Sequence, residues 1–565
     1  MLPETVAEAF LFQLKRAGVE FFFANPGTDF APIIEAYTNP NRKKSDFPEP
    51  LAITHETVAV GMSHGYTLAT SKPQAVMLHT NVGLANGITP LLNASSDRIP
   101  MLLISGRTPI TEGGRLGHRD AGIHWGQEMR DQAGMIREIV KWDYDARFGD
   151  QIPNLIDRAM AIANSAPAGP VYLSLAREVL GERWPKTLPL LRSQIASAKK
   201  SLPEKGAIDE VANLLANAKS PLIILQRSGN DQRCWDNLKK FSNLYAIPVG
   251  ENWSIRAGFP TLDPMHIGFS TVDHVKKADV ILAVDSMVPW LPAKVNLMQD
   301  CKVIQISEDP LFCRIPVRGY PSDFSLAGDV GLTIECLCDA LANIKSINLN
   351  HIEDRRKKLA INNIRRREKL MELAKNGDSS PMSPLFASWC INQVFGPEAT
   401  YVSELALNPA VMNIDRPSQY FSHPMSAGLG WGVPTGLGIQ LADRILSVVA
   451  CVGDGSHLFS NPVACHQAAE ALNLPLLTCV FNNGIWNAVR RATTNMYPSG
   501  NATSSNMMPL TSLNPLPDFS KIVEASRGFG QRVTDGKELI GALKRAKSAI
   551  QSGQHALVDI VVGIS

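Results

Sequence analysis

Two short segments in the last third of this 565-residue chain carry residue types suited to gripping a phosphorylated ligand. Gly453-Asp454-Gly455-Ser456 follows the apolar run ILSVVACV, and Asn482-Asn483-Gly484 closes a second run, LPLLTCVF. A carboxylate and a side-chain amide at the ends of neighbouring strands are hard oxygen ligands. Mg²⁺ accepts such groups, taking few from the protein and the rest from phosphates. The glycines let backbone N–H groups approach those phosphates, and Ser456 adds a hydroxyl where a helix begins. Ligands of open α/β sheets bind at these strand ends. Without a ligand the same residues would make a tight strand-to-helix turn and an Asn-Asn-Gly turn.

The elements that must position these residues recur in three blocks. Residues 1–185 alternate helical patterns with the apolar runs 19–27, 75–81, 99–106 and 169–175. Continuous runs of this kind suit strands buried on both faces of a parallel sheet. Residues 205–345 repeat the rhythm at 220–229, 246–250, 278–286 and 301–307, and residues 380–565 repeat it again at 400–406, 445–456, 474–484 and 555–563. The expected fold class is α/β, with three doubly wound parallel-sheet domains. A connector with Pro185, Pro189 and Pro203 spans 181–205, and the charged run from Glu353 to Lys375 reads as a solvated helix or linker. The glycines of the middle block do not form G-x-G-x-x-G after a strand, so a standard dinucleotide fingerprint is missing.

Composition narrows the class of protein. Lys and Arg total 55 against 53 Asp and Glu, a net charge of +2, so nothing global favours nucleic acid or an anionic membrane. No window is long and apolar enough for a membrane span, and the first residues read as an amphipathic helix rather than a secretory signal. Nine cysteines, all from Cys234 onward, suit reduced residues in a cytoplasm better than a disulfide framework.

The GDG and NN segments at this separation resemble the signature of the thiamine diphosphate (ThDP) enzymes. The subgroup is that of acetohydroxyacid synthase, pyruvate oxidase and benzoylformate decarboxylase, and the resemblance covers nearly the whole chain. It implies a pyrimidine-binding domain (1–185), a middle domain (205–345) and a diphosphate-binding domain (380–565). It also implies that Asp454, Asn483 and the backbone carbonyl of Ile485 hold Mg²⁺, with Asn482 the neighbour. His55-Glu56, closing LAITHE and opening a helix with Gly65-Tyr66, is similar to the family's HE…GYA pattern. The resemblance makes Glu56 the carboxylate that shares a proton with the cofactor's aminopyrimidine ring.

Other segments fit more loosely. Asn25-Pro26-Gly27-Thr28 is similar to a turn that touches substrate in the subgroup, with the Thr28 hydroxyl placed for a carboxylate. Leu429, in the glycine-rich 427–434, matches the apolar wedge that bends the cofactor. Gly83 and Asn86 remain of a GPGxxN pattern that lacks its proline here, and His79 stands near a histidine of some decarboxylases. Gln127, His118 and His124 lie in the stretch that brings a polar side chain beside the cofactor in relatives. His423 and Trp486 are further candidates for the substrate pocket. Ser403, Glu404 and Asn408 stand where relatives contact diphosphate, although SELALN replaces the glycine-histidine-glutamine run of acetohydroxyacid synthases.

The resemblance implies a ThDP- and Mg²⁺-dependent enzyme making or breaking a carbon–carbon bond beside a carbonyl. The expected reaction is 2-oxo acid decarboxylation with carboligation to a hydroxyketone. Alternatives are simple decarboxylation, diketone cleavage, and, in a different class, a non-catalytic ThDP-binding protein or a nucleotide-binding regulatory module. FAD is not expected, because Pro264–Phe269 replaces the LGMHG-like segment. The expected assembly is a homodimer at least, and a homotetramer by family habit, with Glu56 of one copy facing Asp454 of another.

Overall fold

The computed structural model describes residues 2–189, 195–229 and 231–564; residues 190–194 of the expected connector lie outside the described residues. Three six-stranded parallel sheets follow one another along the chain. The first comprises β1 (Phe21–Asn25), β2 (Glu49–Ala52), β3 (Ala75–Leu78), β4 (Met101–Arg107), β5 (Asp143–Ala146) and β6 (Pro170–Ala176). The second comprises β7 (Pro221–Leu225), β8 (Val249–Glu251), β9 (His266–Gly268), β10 (Val280–Val284), β11 (Lys302–Ser307) and β12 (Phe324–Ala327). The third comprises β13 (Thr400–Glu404), β14 (Tyr420–Ser422), β15 (Val448–Gly453), β16 (Leu477–Asn482), β17 (Phe529–Val533) and β18 (Ala556–Val561).

The first and third sheets share one strand order, β2-β1-β3-β4-β6-β5 and β14-β13-β15-β16-β18-β17. In each, the chain reverses direction across the sheet after its second strand. That creates a crevice at the carboxyl ends of β1 and β3, and of β13 and β15, where such folds bind ligands. The middle sheet runs β9-β8-β7-β10-β11-β12, the order of dinucleotide-binding folds. At its crevice Arg227 pairs with Asp285 at 2.9 Å, and Arg98 of the first lobe reaches the same carboxylate at 3.5 Å. The two guanidinium groups hold Asp285 well below the usual carboxylate range despite its burial.

The first helix, α1 (Val6–Arg16), caps on Thr5 and buries Phe10, Leu11 and Leu14. Helix α2 (Glu56–Thr70) starts where His55 Nδ1 accepts the Thr57 N–H, and ends at Ser71 in the left-handed region. Short α3 (Thr80–Asn86) follows β3. The charged run forms α4 (Leu349–Lys375), which is more than a solvated rod. Arg355 donates to the carbonyls of Tyr245 and Ala246 at 2.8 Å, and Arg367 to Asn413 Oδ1 at 2.6 Å. Its arginines thereby strap the middle body to the last lobe.

Helix α5 (Gly432–Ala442) crosses α2 with the two backbones in contact. A Cβ on Gly65 would stand 2.0 Å from the Thr435 carbonyl oxygen, and one on Gly438 2.0 Å from that of Met62. One apolar cluster runs unbroken from Met62 and Leu103 through Leu437 into Val480. Each fully buried aliphatic side chain in it contributes about 1.5–3 kcal/mol. The last lobe continues with α6 (Asp454–Phe459), α7 (Pro462–Ala471) and α8 (Asn487–Met496). All nine cysteines are free thiols, and no described helix is long and apolar enough to cross a membrane.

Candidate functional site

The crevice of the first sheet gathers Glu56, His79, Gly83 and Asn86. Glu56 opens α2 and is 9% exposed. Asn86 donates to its Oε2 at 3.2 Å. A Cβ on Gly83 would come 3.2 Å from its Oε1, so the glycine keeps the space over that oxygen free. His79, just past β3, has Nδ1 2.5 Å from Asp29 Oδ1. The Asp29 hydrogen bond, with the charge of Asp29 and the nearby Glu56, pushes the imidazole above its ordinary value.

The sequence reading overlooked Asp29, although it directly follows the NPGT turn. The carboxylate is buried, and a Cβ on Gly106 would lie 1.6 Å from its Oδ2. A Cβ on Gly27 would likewise strike the His79 ring at 2.1 Å. Both glycines therefore make room for the pair. Thr28 is exposed on the same turn. Thr80, directly after His79, has φ +44°, an unusual backbone for a β-branched residue.

The loop after β4 carries His118, His124 and Gln127. His124 is 2% exposed, and its Nδ1 accepts the backbone N–H groups of Asp120 and Ala121 at 3.2 and 3.3 Å. Burial lowers its pKa. His118 bonds the Arg115 carbonyl at 2.7 Å. Arg177 grips this loop through the carbonyls of Gly117 and His118, both at 2.7 Å, and through Asp120 at 2.9 Å. The two histidines are thus spent on shaping the loop, and among the described residues neither contacts Glu56 or His79. Gln127 is half-buried, and its amide oxygen is buried with no hydrogen-bond partner among the described residues.

In the last lobe the NNG turn folds onto Asp454. Its Oδ1 accepts the Gly455 N–H at 2.8 Å, and its Oδ2 accepts those of Gly484 at 2.7 Å and Asn483 at 3.1 Å. Gly484 has φ +70°, which the turn requires and glycine permits. Asn483 Oδ1 accepts the Ile485 N–H at 3.1 Å, beside the aspartate. Asn482 points the other way, donating to Asp559 at 3.0 Å inside the sheet. Burial pushes the Asp454 carboxyl up against three backbone donors that favour its charge. A buried carboxylate beside an amide oxygen fits a hard cation. Among the described residues no group of three or more His, Cys, Asp or Glu is arranged for a metal.

Trp486 lies over Gly455, where a Cβ would strike its ring at 2.2 Å, and meets Phe459 edge-on at 5.8 Å. Gly453 ends β15 at the mouth of the same turn, and Leu429 is half-buried. The Asn408 amide oxygen caps the next turn by accepting the Ala410 N–H at 3.0 Å. The Glu404 carboxylate turns onto the Gly430–Gly432 backbone. Ser403 stays inside the sheet, where it accepts the Leu407 N–H at 3.1 Å. His423 is half-buried near Ser422, with its pKa lowered by burial. Among the described residues no hydrogen bond or ion pair joins Glu56 to Asp454 within one chain.

Comparison with known proteins places these crevices in context. Three family profiles match: "Thiamine pyrophosphate enzyme, N-terminal TPP binding domain" over residues 4–135, the central domain over 208–337 and the C-terminal TPP binding domain over 405–560. Acetolactate synthase of Mycobacterium bovis is 22% identical over 99% of this chain and 88% of its own. Benzoylformate decarboxylase of Pseudomonas aeruginosa is 24% identical over 86% of this chain and 87% of its own. Among solved structures, benzoylformate decarboxylase from Polynucleobacter necessarius superposes with a TM-score of 0.81 at 20% identity, covering 100% of this chain and 99% of its own. The thiamine diphosphate-dependent 4-hydroxybenzoylformate decarboxylase of Rhodococcus jostii gives 0.79 at 21%, covering 99% of each.

Proposed function

The chain belongs to the thiamine diphosphate enzymes, and from that premise we propose that it removes CO₂ from a 2-oxo acid and releases the remaining fragment, protonated, as an aldehyde. Bound thiamine diphosphate supplies the carbon nucleophile and electron sink for such a cleavage. Glu56 shares a proton with the aminopyrimidine nitrogen, oriented by Asn86 and left open by Gly83. Asp454, Asn483 and the Ile485 carbonyl hold Mg²⁺. Gly453, Gly455 and Ser456 line the diphosphate, and Leu429 props the cofactor.

The observation that carries the reading is the Asp29–His79 pair beside Glu56. An imidazole whose protonated form Asp29 favours suits the role of proton donor to the carbon that loses CO₂. Thr28, exposed on the Asp29 turn, offers its hydroxyl to the substrate carboxylate. A second reading, capture of the fragment by another carbonyl compound, is supported by the Mycobacterium bovis acetolactate synthase matched along 99% of this chain.

The active unit is two copies, Glu56 of one facing Asp454 of the other, with a tetramer as a pair of such dimers. Exposed apolar side chains on both lobes, Ile34 and Val82 on one and Phe459 and Val489 on the other, support this assembly. The free thiols suit the reducing cytoplasm. The test is a panel of 2-oxo acids, with and without an aldehyde, followed by product mass spectrometry. Aldehyde with CO₂ supports the first reading and a hydroxyketone the second. Failure of the ThDP- and Mg²⁺-loaded protein to release CO₂ from any of them overturns both.

A further inference from the structure

Glu404 ends β13 at the crevice of the third sheet, 1% exposed. Its Oε1 accepts the Gly430 N–H at 2.7 Å and its Oε2 the Gly432 N–H at 2.6 Å. Ser456, at the start of α6, lies near the same carboxylate and favours its charged form. One side chain thus receives two backbone hydrogen bonds from the segment carrying Leu429 and neighbours the helix opened by Asp454.

The segment needs such an anchor. Ala427 and Gly430 have φ of +53° and +90°, so its backbone gains nothing from regular structure. Gly430 also lies against the end of α6, where a Cβ would be 2.3 Å from the Phe459 carbonyl oxygen. From the first lobe Asn93 holds Gly428 at both ends of its side-chain amide, donating at 2.9 Å and accepting at 3.1 Å. Leu429 therefore hangs between two fixed points, Asn93 and Glu404. Burial without a neighbouring cation pushes the Glu404 carboxyl up to about 7, opposed by the backbone donors that favour its charge.

We propose that Glu404 is a positioning residue, fixing Leu429 relative to the Asp454 turn so that the two ends of one cofactor molecule are held at a set separation. The inference rests on the ThDP reading of the site. Both carboxylate oxygens accept backbone N–H groups, so a glutamine would turn an NH₂ against one of them. Aspartate keeps the charge but falls short of the segment.

The test measures equilibrium binding of ThDP with Mg²⁺ by tryptophan fluorescence, and kcat at saturating cofactor, for the parent, Glu404→Gln and Glu404→Asp. The expected result is a tenfold or larger loss of ThDP affinity in Glu404→Gln together with a tenfold or larger fall in kcat at saturation. Glu404→Asp should recover part of both, with folding verified by circular dichroism. Parent-like affinity and kcat in folded Glu404→Gln overturn the proposal. So does a Glu404→Asp variant no better than Glu404→Gln, or one that stays parent-like if Glu404→Gln does not fold. Failure of the parent itself to bind ThDP overturns the site reading instead, and is distinguishable because it needs no variant.

Discussion

Nδ1 of His79 lies 2.5 Å from Oδ1 of Asp29, across the crevice between β1 and β3. The aspartate raises the imidazole pKa, so the pair's contribution to folding is complete below about pH 6.5 and fades as pH rises through the raised value. If His79 gives the product proton, turnover falls on the alkaline side of that same value. Asp29→Asn should move the alkaline limb of kcat to lower pH and cost about tenfold or more at pH 8. A pH–rate profile that does not move in Asp29→Asn would remove His79 from the chemistry.

Glu56→Gln should leave secondary structure unchanged and lower kcat by about 10²–10⁴-fold. The Asn86 amide still has an oxygen to meet, so cofactor affinity should change far less than turnover. Parent-like kcat would end the role assigned to the carboxylate.

Asp454→Ala should strip the metal. Three backbone N–H groups lose their acceptor and the cation its one charged protein ligand. The expected readout is magnesium and ThDP content near zero after dialysis against chelator and reloading, measured by elemental analysis and chromatography. Parent-like content in the variant would count against Asp454.

Gly438→Ala should destabilise the chain by about 1–3 kcal/mol or more, because a methyl group 2.0 Å from the Met62 carbonyl must push α2 and α5 apart. Chemical denaturation checks this, and an unchanged midpoint would contradict the close crossing.

His457, buried in α6 against Phe519 and His466, has neither ring nitrogen hydrogen-bonded among the described residues. Burial pushes its pKa down to about 3. The unfolded chain binds a proton there below about pH 6.5 and the folded chain does not, so stability falls as pH drops from about 6.5 toward 3. Denaturation between pH 7.5 and 5 should show a loss about 1 kcal/mol per pH unit shallower in His457→Leu than in the parent.

The apolar runs of the sequence correspond to the twelve inner strands, and the six strands without such runs are the sheet edges: β2, β5, β9, β12, β14 and β17. EPLA, DYDA, HIG, FSLA, YFS and FGQRV are short or partly polar because an edge has a neighbour on one side only. The same divide holds at the site. Asp454 and Asn483 stand at the ends of inner runs and Glu56 just past the edge strand β2, and in each case a motif marks the residue. Asp29 with His79, and Glu404 with Gly430, meet across turns that no local spacing predicts, since each pair depends on how two strands lie side by side. The arginines of α4 read as a charged surface because most of their partners are backbone carbonyls, which every residue carries.

The glycine-to-carbonyl seam of α2 and α5 has a consequence for where the chain can be cut. Its outer lobes are far apart in sequence yet share one interior, while the connector at 181–205 joins the first lobe to the middle body. A protease nick in that connector should leave the particle in one piece, and two separately expressed fragments ending and starting there should reassemble with each other.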